Sequence, residues 1–413
     1  MASPAELAVV GAGIIGTALA RELQLRGVQC LLVDSGLPGH GASFGNAGHI
    51  AVEQLTPLAH PGAWREVPAL LLGRGVASLR WRDAATVLPW SVEFLRNCSS
   101  RHYAANHRTF LALQSNTVVD WRELSVACPA VGALTQFLGH DEIFESAAAR
   151  SGAQAALLAQ RADGVNWRDL QPDELQVLRT LAPRAVDGVR YLDTGYVKTP
   201  LGIVEALYED FCAKGGRFVH SDIRCIAPDR GGFVLKTRGA DVHARRVVIA
   251  GGSRSARLLA PLGLRVPLIA ERGYHLSFSR QVAGLQRPLM LRERSAVLTP
   301  MSFGFRCTSF VEFAAPGSTP TASKWTKLAQ HLKESGIYLP SDQPQTWMGE
   351  RPTLPDYLPA IGASQAHPGL FYALGHQHLG LTLGPTTARV LADLIASDKR
   401  ASFLDALDLN RFG

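Results

Sequence analysis

The chain has 413 residues, 46% apolar and 19% charged, the composition of a folded protein of two or three domains and not of a disordered one. Its 42 basic and 35 acidic residues leave a net charge of +7 with no basic tract, so no nucleic-acid partner is expected. No apolar run reaches the ~18–20 residues of a membrane span, which predicts a cytoplasmic protein, peripheral on the inner membrane at most.

Ala5–Val10 is an apolar run directly before glycines and predicts a buried strand. Ile14–Arg26 has helical spacing and Gly27 closes it. A second apolar run, Val28–Val33, ends at Asp34, so the start of the chain reads β-α-β, the unit of a parallel sheet. Residues 35–62 form a Gly/Ser/Ala/Pro-rich loop, long enough to suggest a functional segment. Residues 64–128 read mainly as helix, with apolar residues at three- and four-residue steps in Val87–Cys98 and His102–Cys128. Residues 146–189 continue as helix and loop. Thr199–Cys212 is a further helix, stopped by Lys214-Gly215-Gly216. Short strands follow at Arg217–Ile226, Gly232–Thr237, Val242–Arg245 and Arg246–Ala250, the last ending on Gly251-Gly252. Residues 266–315 alternate as antiparallel strands, and 319–339 return to helix. The tail, 346–397, predicts a Pro/Gly-rich loop, a strand at Leu370–Leu374, a glycine loop and a helix from about Pro385 to Ser397.

Gly11-Ala-Gly13-Ile14-Ile15-Gly16 is a G-x-G-x-x-G segment between strand and helix. Gly11 permits the tight turn, Gly13 lets the backbone approach a diphosphate, and Gly16 lets the helix pack on the strand. The helix start, with Ile14 and Ile15, offers free N–H groups to phosphate. Asp34 and the adjoining Ser35 end the second strand, where the carboxylate can accept hydrogen bonds from ribose hydroxyls and would repel a 2′-phosphate. The motif alone leaves NAD and FAD open; its place near the N-terminus favours FAD. The six cysteines show no CxxC and no close pairing, which predicts reduced, buried thiols and no zinc or redox-motif site. No metal is expected.

Further along, Ser43-Phe-Gly-Asn46-Ala47-Gly48-His49, Trp347-Met-Gly-Glu-Arg351-Pro-Thr-Leu-Pro-Asp356 and Gly375-His376-Gln-His378-Leu379-Gly380-Leu381-Thr382 resemble S-x-x-N-A-G, W-x-G-x-R-P-x-x-x-D and G-H-x-x-x-G segments. Together with the fingerprint they resemble the D-amino-acid oxidase/dehydrogenase superfamily of FAD proteins over nearly the whole chain. The likeness is strongest to the bacterial D-amino-acid dehydrogenase branch, which includes D-hydroxyproline dehydrogenase-like members. The resemblance implies that Ser43, Asn46, Ala47 and Gly48 contact the flavin and diphosphate. It implies that the backbone at Ile223 meets the adenine, that Ala250 and Gly251 approach the dinucleotide, and that Gly375, His378, Leu379, Gly380, Leu381 and Thr382 line the isoalloxazine. Cysteine is absent from Trp347–Asp356, the segment that carries it in members with covalent flavin, so non-covalent FAD is expected. Thr308, Ser309, His275 and His49 depart from the branch near the expected substrate pocket.

The implied activity is oxidation of the CH–NH group of a D-amino acid, or of a cyclic imino acid such as D-proline or cis-4-hydroxy-D-proline, to the imine by hydride transfer to flavin N5. Alternatives are a flavoprotein subunit of a hetero-oligomeric amine, sarcosine or hydroxyproline dehydrogenase, and a glycine/sarcosine-type oxidase. Such chemistry needs a cation for the substrate carboxylate, and a guanidinium gives a planar bidentate clamp. Arg351 matches the family's carboxylate-binding arginine; Arg306 and Arg272 are the other candidates. Tyr274 could donate to the carboxylate or amine, and His49, His376 and His378 could position the amine or take its proton. The electron acceptor would be oxygen, a quinone or a partner protein. An apolar stretch within 67–97 (Leu70-Leu71-Leu72, Val76, Leu79, Trp81, Leu88, Trp90) suggests a peripheral membrane or hetero-subunit contact. The expected fold is α/β: a discontinuous Rossmann-like FAD-binding domain (1–80, 190–265, 346–413) and an α+β substrate domain with a large antiparallel sheet (81–189, 266–345).

Overall fold

The computed structural model describes residues 4–66, 70, 77–339 and 343–413. Among them the strands gather into sheets of eight, nine and three. The chain opens with β1 (Ala5–Val10), α1 (Ile14–Leu25) and β2 (Cys30–Asp34). β1 pairs in parallel with β2 on one side and with the strand Val242–Ile249 on the other. Arg217–His220 joins the outer edge of β2, again in parallel. Val242–Ile249 takes Leu370–Leu374 in parallel near its end and an antiparallel hairpin, Cys225–Asp229 with Gly232–Lys236, near its start. This sheet therefore draws on three separated stretches of sequence. Leu7 and Val9 pack to one side and Ala8 and Val10 to the other, all buried. Both faces are covered, as a parallel sheet requires, and the apolar run follows from that. α1 and the helix Gly380–Ser397 cover one of these faces.

The nine-stranded sheet runs in the order Gln345–Thr353, Ile269–Phe278, Gly304–Ala314, Ala296–Met301, Leu289–Leu291, His140–Phe144, Asp187–Tyr191 and Trp167–Asp169, with Ala77–Leu79 beside Gly304–Ala314. Its pairs are antiparallel except Leu289–Leu291 with His140–Phe144 and Ala77–Leu79 with Val311–Phe313. The third sheet joins His49–Ile50, Gly195–Val197 and Thr135–Gln136.

Several elements differ from the sequence reading. The stretch 146–189 holds strands at Trp167–Asp169 and Asp187–Tyr191 besides its helices. Their charged residues hide the strand pattern; Arg190 is tolerated because it pairs with Asp141 and Glu174. The expected tail loop contains a strand, Gln345–Thr353. It is an edge strand of its sheet, laddered only with Ile269–Phe278 within it, so Pro352 costs no central ladder bond. The last helix starts at Gly380, ahead of Pro385, and buries Leu381 to Ala388.

Residues 67–69 and 71–76 of the apolar stretch lie outside the described residues. In the helix Ala84–Asn97, Val87 and Trp90 belong to the core, whereas Leu88, Val92 and Leu95 face outward, as does Trp81. Among the described residues no helix is long and apolar enough to cross a membrane.

Candidate active site

The turn between β1 and α1 is built for close approach. Gly11 has φ +113°, and a Cβ on Gly16 would stand 1.8 Å from the Gly11 carbonyl oxygen. α1 begins at Gly13 without a side-chain cap and without an acid in its first turn, so the helix end is positive and open. Ser43 reaches it and accepts a hydrogen bond from the Ile14 N–H at 3.0 Å. Asp34 accepts from the Ala12 N–H at 2.7 Å and the Gly36 N–H at 2.9 Å, which places its carboxylate beside the turn. The Ser35 hydroxyl accepts from Arg254 at 2.9 Å. Ala250 sits under Gly11, its N–H donating to the Val10 carbonyl at 2.8 Å. Ile223 is buried between two anchored neighbours: the Ser221 N–H donates to the Asp34 carbonyl and the Arg224 N–H to that of Lys236. A positive helix end whose one side-chain partner among the described residues is the Ser43 hydroxyl, a turn with no room for side chains and a carboxylate at the second strand end fit a dinucleotide.

The second sheet presents one face to this turn. Along Ile269–Phe278, Glu271, Gly273, His275 and Ser277 share that face. The loop Ser43–His49 is docked on it. Arg306 donates to the carbonyl of Asn46 at 2.6 Å and to that of Phe44 at 3.3 Å, and also to the Ser277 hydroxyl. His275 Nδ1 lies 3.0 Å from the Gly45 carbonyl, and its ring stacks on Trp347 at 5.1 Å. Within the loop, Asn46 Oδ1 accepts from the Gly48 N–H at 2.8 Å. Arg306 thus anchors the loop and does not stand free as a carboxylate clamp.

Arg351 lies on the same face, opposite Glu271 in register. Its Nη1 donates to Glu271 at 3.1 Å and to the Phe310 carbonyl at 3.2 Å. Glu271 is fully buried and also accepts from the Thr353 and Tyr357 hydroxyls, at 3.2 and 3.1 Å. The remainder of the guanidinium lies over Gly273: a Cβ there would be 2.2 Å from Nη2. Glycine at 273 therefore makes room for the cation, and Arg351 keeps 21% side-chain exposure. His378 arrives from the other domain-forming segment, with Nε2 at 2.5 Å from Gln54 Oε1. Thr353 and His376 form an isolated bridge that ties the Arg351 strand to the Gly375–Thr382 loop. Thr382 Oγ1 accepts from the Ala51 N–H at 3.0 Å, which joins that loop to the segment after His49.

Four expected residues lie elsewhere. Tyr274 points to the opposite sheet face, where its hydroxyl donates to Glu312 at 2.5 Å and accepts from the Thr321 N–H at 3.0 Å. Strand alternation dictates this, because Gly273 and His275 hold the Arg351 side. Arg272 follows Tyr274: it pairs with Glu312 and donates to the Ser318 and Thr319 carbonyls, fully buried. His376 is buried, with Nε2 at 3.0 Å from the Thr387 hydroxyl, and positions the last helix. His49 faces Glu53 and His140 instead of Arg351; their rings meet edge to face at 4.4 Å. Sequence reading missed Glu271 and Gln54. An acid two residues before Gly273, in a strand otherwise buried, was the available signal for Glu271.

Burial sets the protonation of the imidazoles. It holds His376 at about 3. Burial and the Arg306 charge, against the Gly45 carbonyl, hold His275 at about 3. Burial, opposed by Glu271 and reinforced by Arg351, holds His378 at about 4. All three are neutral in the fold, while in the unfolded chain they take protons near pH 6.5. Between those values only the unfolded state binds the protons, so the stability is present above pH 6.5 and lost as pH falls. The expected loss is up to about 1.4 kcal/mol per pH unit for each group, down to about pH 4. Urea unfolding at pH 7, 6 and 5 measures it; a flat profile contradicts the assignment.

The chain matches the family described as DAO, FAD dependent oxidoreductase, over residues 6–394. A D-amino-acid oxidase of Bradyrhizobium diazoefficiens is 30% identical over 412 residues, covering 94% of both chains. A D-amino acid dehydrogenase of Sinorhizobium medicae is 29% identical over 429 residues, covering 97% of this chain and 98% of that one. Among solved structures, glycine oxidase from Geobacillus kaustophilus aligns with a TM-score of 0.77 at 20% identity, covering 99% of each chain, a likeness of fold. With a glycine turn that fits a dinucleotide on a discontinuous, mostly parallel sheet and a family match over residues 6–394, this protein belongs to the DAO family of FAD-dependent oxidoreductases.

Proposed function

We propose that the protein oxidises the CH–NH group of a D-amino acid, or of a cyclic imino acid such as D-proline or cis-4-hydroxy-D-proline, to the imine, using non-covalent FAD. The observation that carries this reading is Arg351, a half-buried guanidinium on the sheet face that meets the flavin loops, with its Nη2 edge over Gly273. Gly11, Gly13 and the Ile14 and Ile15 N–H groups would hold the diphosphate, Asp34 and Ser35 the ribose, and the backbone at Ile223 the adenine. Ser43–Gly48 and Gly375–Thr382 would flank the ring. FAD, when bound, supplies the hydride acceptor. The helix Gly380–Ser397 begins in that loop, and its positive end favours negative charge there.

Arg351 binds the substrate carboxylate through the guanidinium edge that Glu271 leaves free, and the buried Glu271 fixes the fork in one orientation. Neutral His378, donating from Nε2 to Gln54, offers Nδ1 as an acceptor for the substrate amine. A substrate amine that arrives neutral needs no protein base. Electrons then pass to a quinone or a partner protein; the outward Leu88, Val92 and Leu95 support such a contact.

Anaerobic mixing of the FAD-loaded protein with D- and L-amino acids, both proline enantiomers, cis-4-hydroxy-D-proline, glycine and sarcosine tests the reading. Bleaching of the flavin band by the D-amino or D-imino acids is the expected outcome. Bleaching by glycine or sarcosine alone contradicts it and supports an oxidase of achiral amines.

A further inference from the structure

Behind the flavin-facing loop the fold brings together three side chains distant in sequence. His49 stands on the short strand His49–Ile50, Glu53 follows it, and His140 opens the strand His140–Phe144. His49 Nε2 lies 3.8 Å from Glu53 Oε2, and His140 Nε2 lies 4.0 Å from Glu53 Oε1. The three ligand atoms are all within 4.8 Å of one another. Neither contact is a hydrogen bond at these lengths. Glu53 is 4% exposed, and its Oε2 and the Nε2 of His49 have no hydrogen-bond partner among the described residues. A buried carboxylate facing two imidazole nitrogens without a bond to either is a costly arrangement unless something lies between them.

We propose that His49, Glu53 and His140 bind a divalent transition ion of the Zn²⁺ or Co²⁺ class. An ion bonded at ~2.0–2.2 Å in a tetrahedral site holds its ligand atoms about 3.3–3.6 Å apart, so each His–Glu separation has to close by only about half an ångström on binding. The set of two imidazoles and one carboxylate suits a borderline ion, and a hard Mg²⁺ or Ca²⁺ would want more oxygen ligands. The outer contacts match. His140 Nδ1 is 3.2 Å from the Thr194 hydroxyl, which can accept from Nδ1–H when the Nε2 lone pair is turned to an ion. The His140 ring stacks on Tyr191 at 4.3 Å, and Tyr191 is held by Glu142 and Gln160. Thr194 also lines a cavity of about 390 Å³ with Val52, Gln114, Asn166 and Asp193. The cluster stands on its own side chains and does not depend on the substrate assigned above.

The test uses the untagged, FAD-loaded full chain, stripped with a chelator and titrated with Co²⁺. The expected result is one ion retained per chain after desalting, with a visible d–d band. Glu53→Gln and His140→Gln should weaken retention by at least about 100-fold with the flavin spectrum intact, and Thr194→Val by about 10-fold, the size of an outer-shell loss. Should either ligand variant fail to fold, the wild-type stoichiometry and the folded Thr194→Val variant decide. Absence of a retained ion in the wild type overturns the proposal, as does undiminished binding by a folded Glu53→Gln protein.

Discussion

Arg351→Ala is expected to retain FAD and to need about 100-fold more substrate for half-maximal anaerobic bleaching. The magnitude follows from losing a charge-assisted, partly buried contact of about 3 kcal/mol, with 1.4 kcal/mol per factor of ten. Arg351 touches no part of the dinucleotide turn, so flavin content should hold. The substitution carries a stability cost, because buried Glu271 loses its counter-ion, but Glu271 keeps hydrogen bonds from Thr353 and Tyr357. Arg351→Lys keeps the charge without the fork and should fall between wild type and alanine. Titration of flavin bleaching with the best substrate of the panel gives the number directly. A half-saturation unchanged by Arg351→Ala would remove this residue from the site.

The largest effect on stability is expected at Glu312, on the far side of the same sheet. Its carboxylate gathers Arg272, Tyr274 and Thr321. Burial by itself would raise its pKa, but the Tyr274 and Thr321 hydroxyls and the Arg272 charge outweigh burial and hold it below the ordinary carboxylate value. Glu312→Ala leaves the fully buried Arg272 without its counter-ion and should cost about 3–5 kcal/mol. That is a large share of the ~5–15 kcal/mol that holds a domain together. Tyr274→Phe removes one hydroxyl from the same cluster and should cost about 1–2 kcal/mol. Because Tyr274 faces away from Arg351, its loss should leave the substrate half-saturation where it was. Denaturant unfolding and bleaching of the two variants separate these roles, and a Tyr274→Phe enzyme with normal stability and weakened substrate binding would restore the tyrosine to the pocket.

Sequence reasoning was strong where a signal is local. The β-α-β start, the glycine turn and Asp34 lie within about thirty residues, and each glycine has a steric reason visible in the turn itself. The alternating strands of 269–314 and the helices Pro200–Ala213 and Ser323–Glu334 are legible for the same reason. The strand Gln345–Thr353 was not, because its proline and glycine argue for a loop until an edge position makes them harmless. Tyr274 illustrates a one-residue ambiguity. The sequence reading offers Tyr274 to the substrate, but a strand sends neighbours to opposite faces, and only the pairing with Gln345–Thr353 and Gly304–Ala314 says which face is which.

By itself, then, the amino-acid order determined the glycine turn and its β-α-β setting, which rest on steric demands of a few consecutive residues, while the resemblance of its motifs to a family pointed to the fold and to Arg351. Tertiary structure alone decided that Arg351 is oriented by Glu271, 80 residues away, that Arg306 anchors the Ser43–His49 loop, and that His49, Glu53 and His140 share one buried spot. Those are contacts between elements far apart in the chain. No periodicity or spacing encodes them, because they exist only once sheet register and packing have brought the strands together.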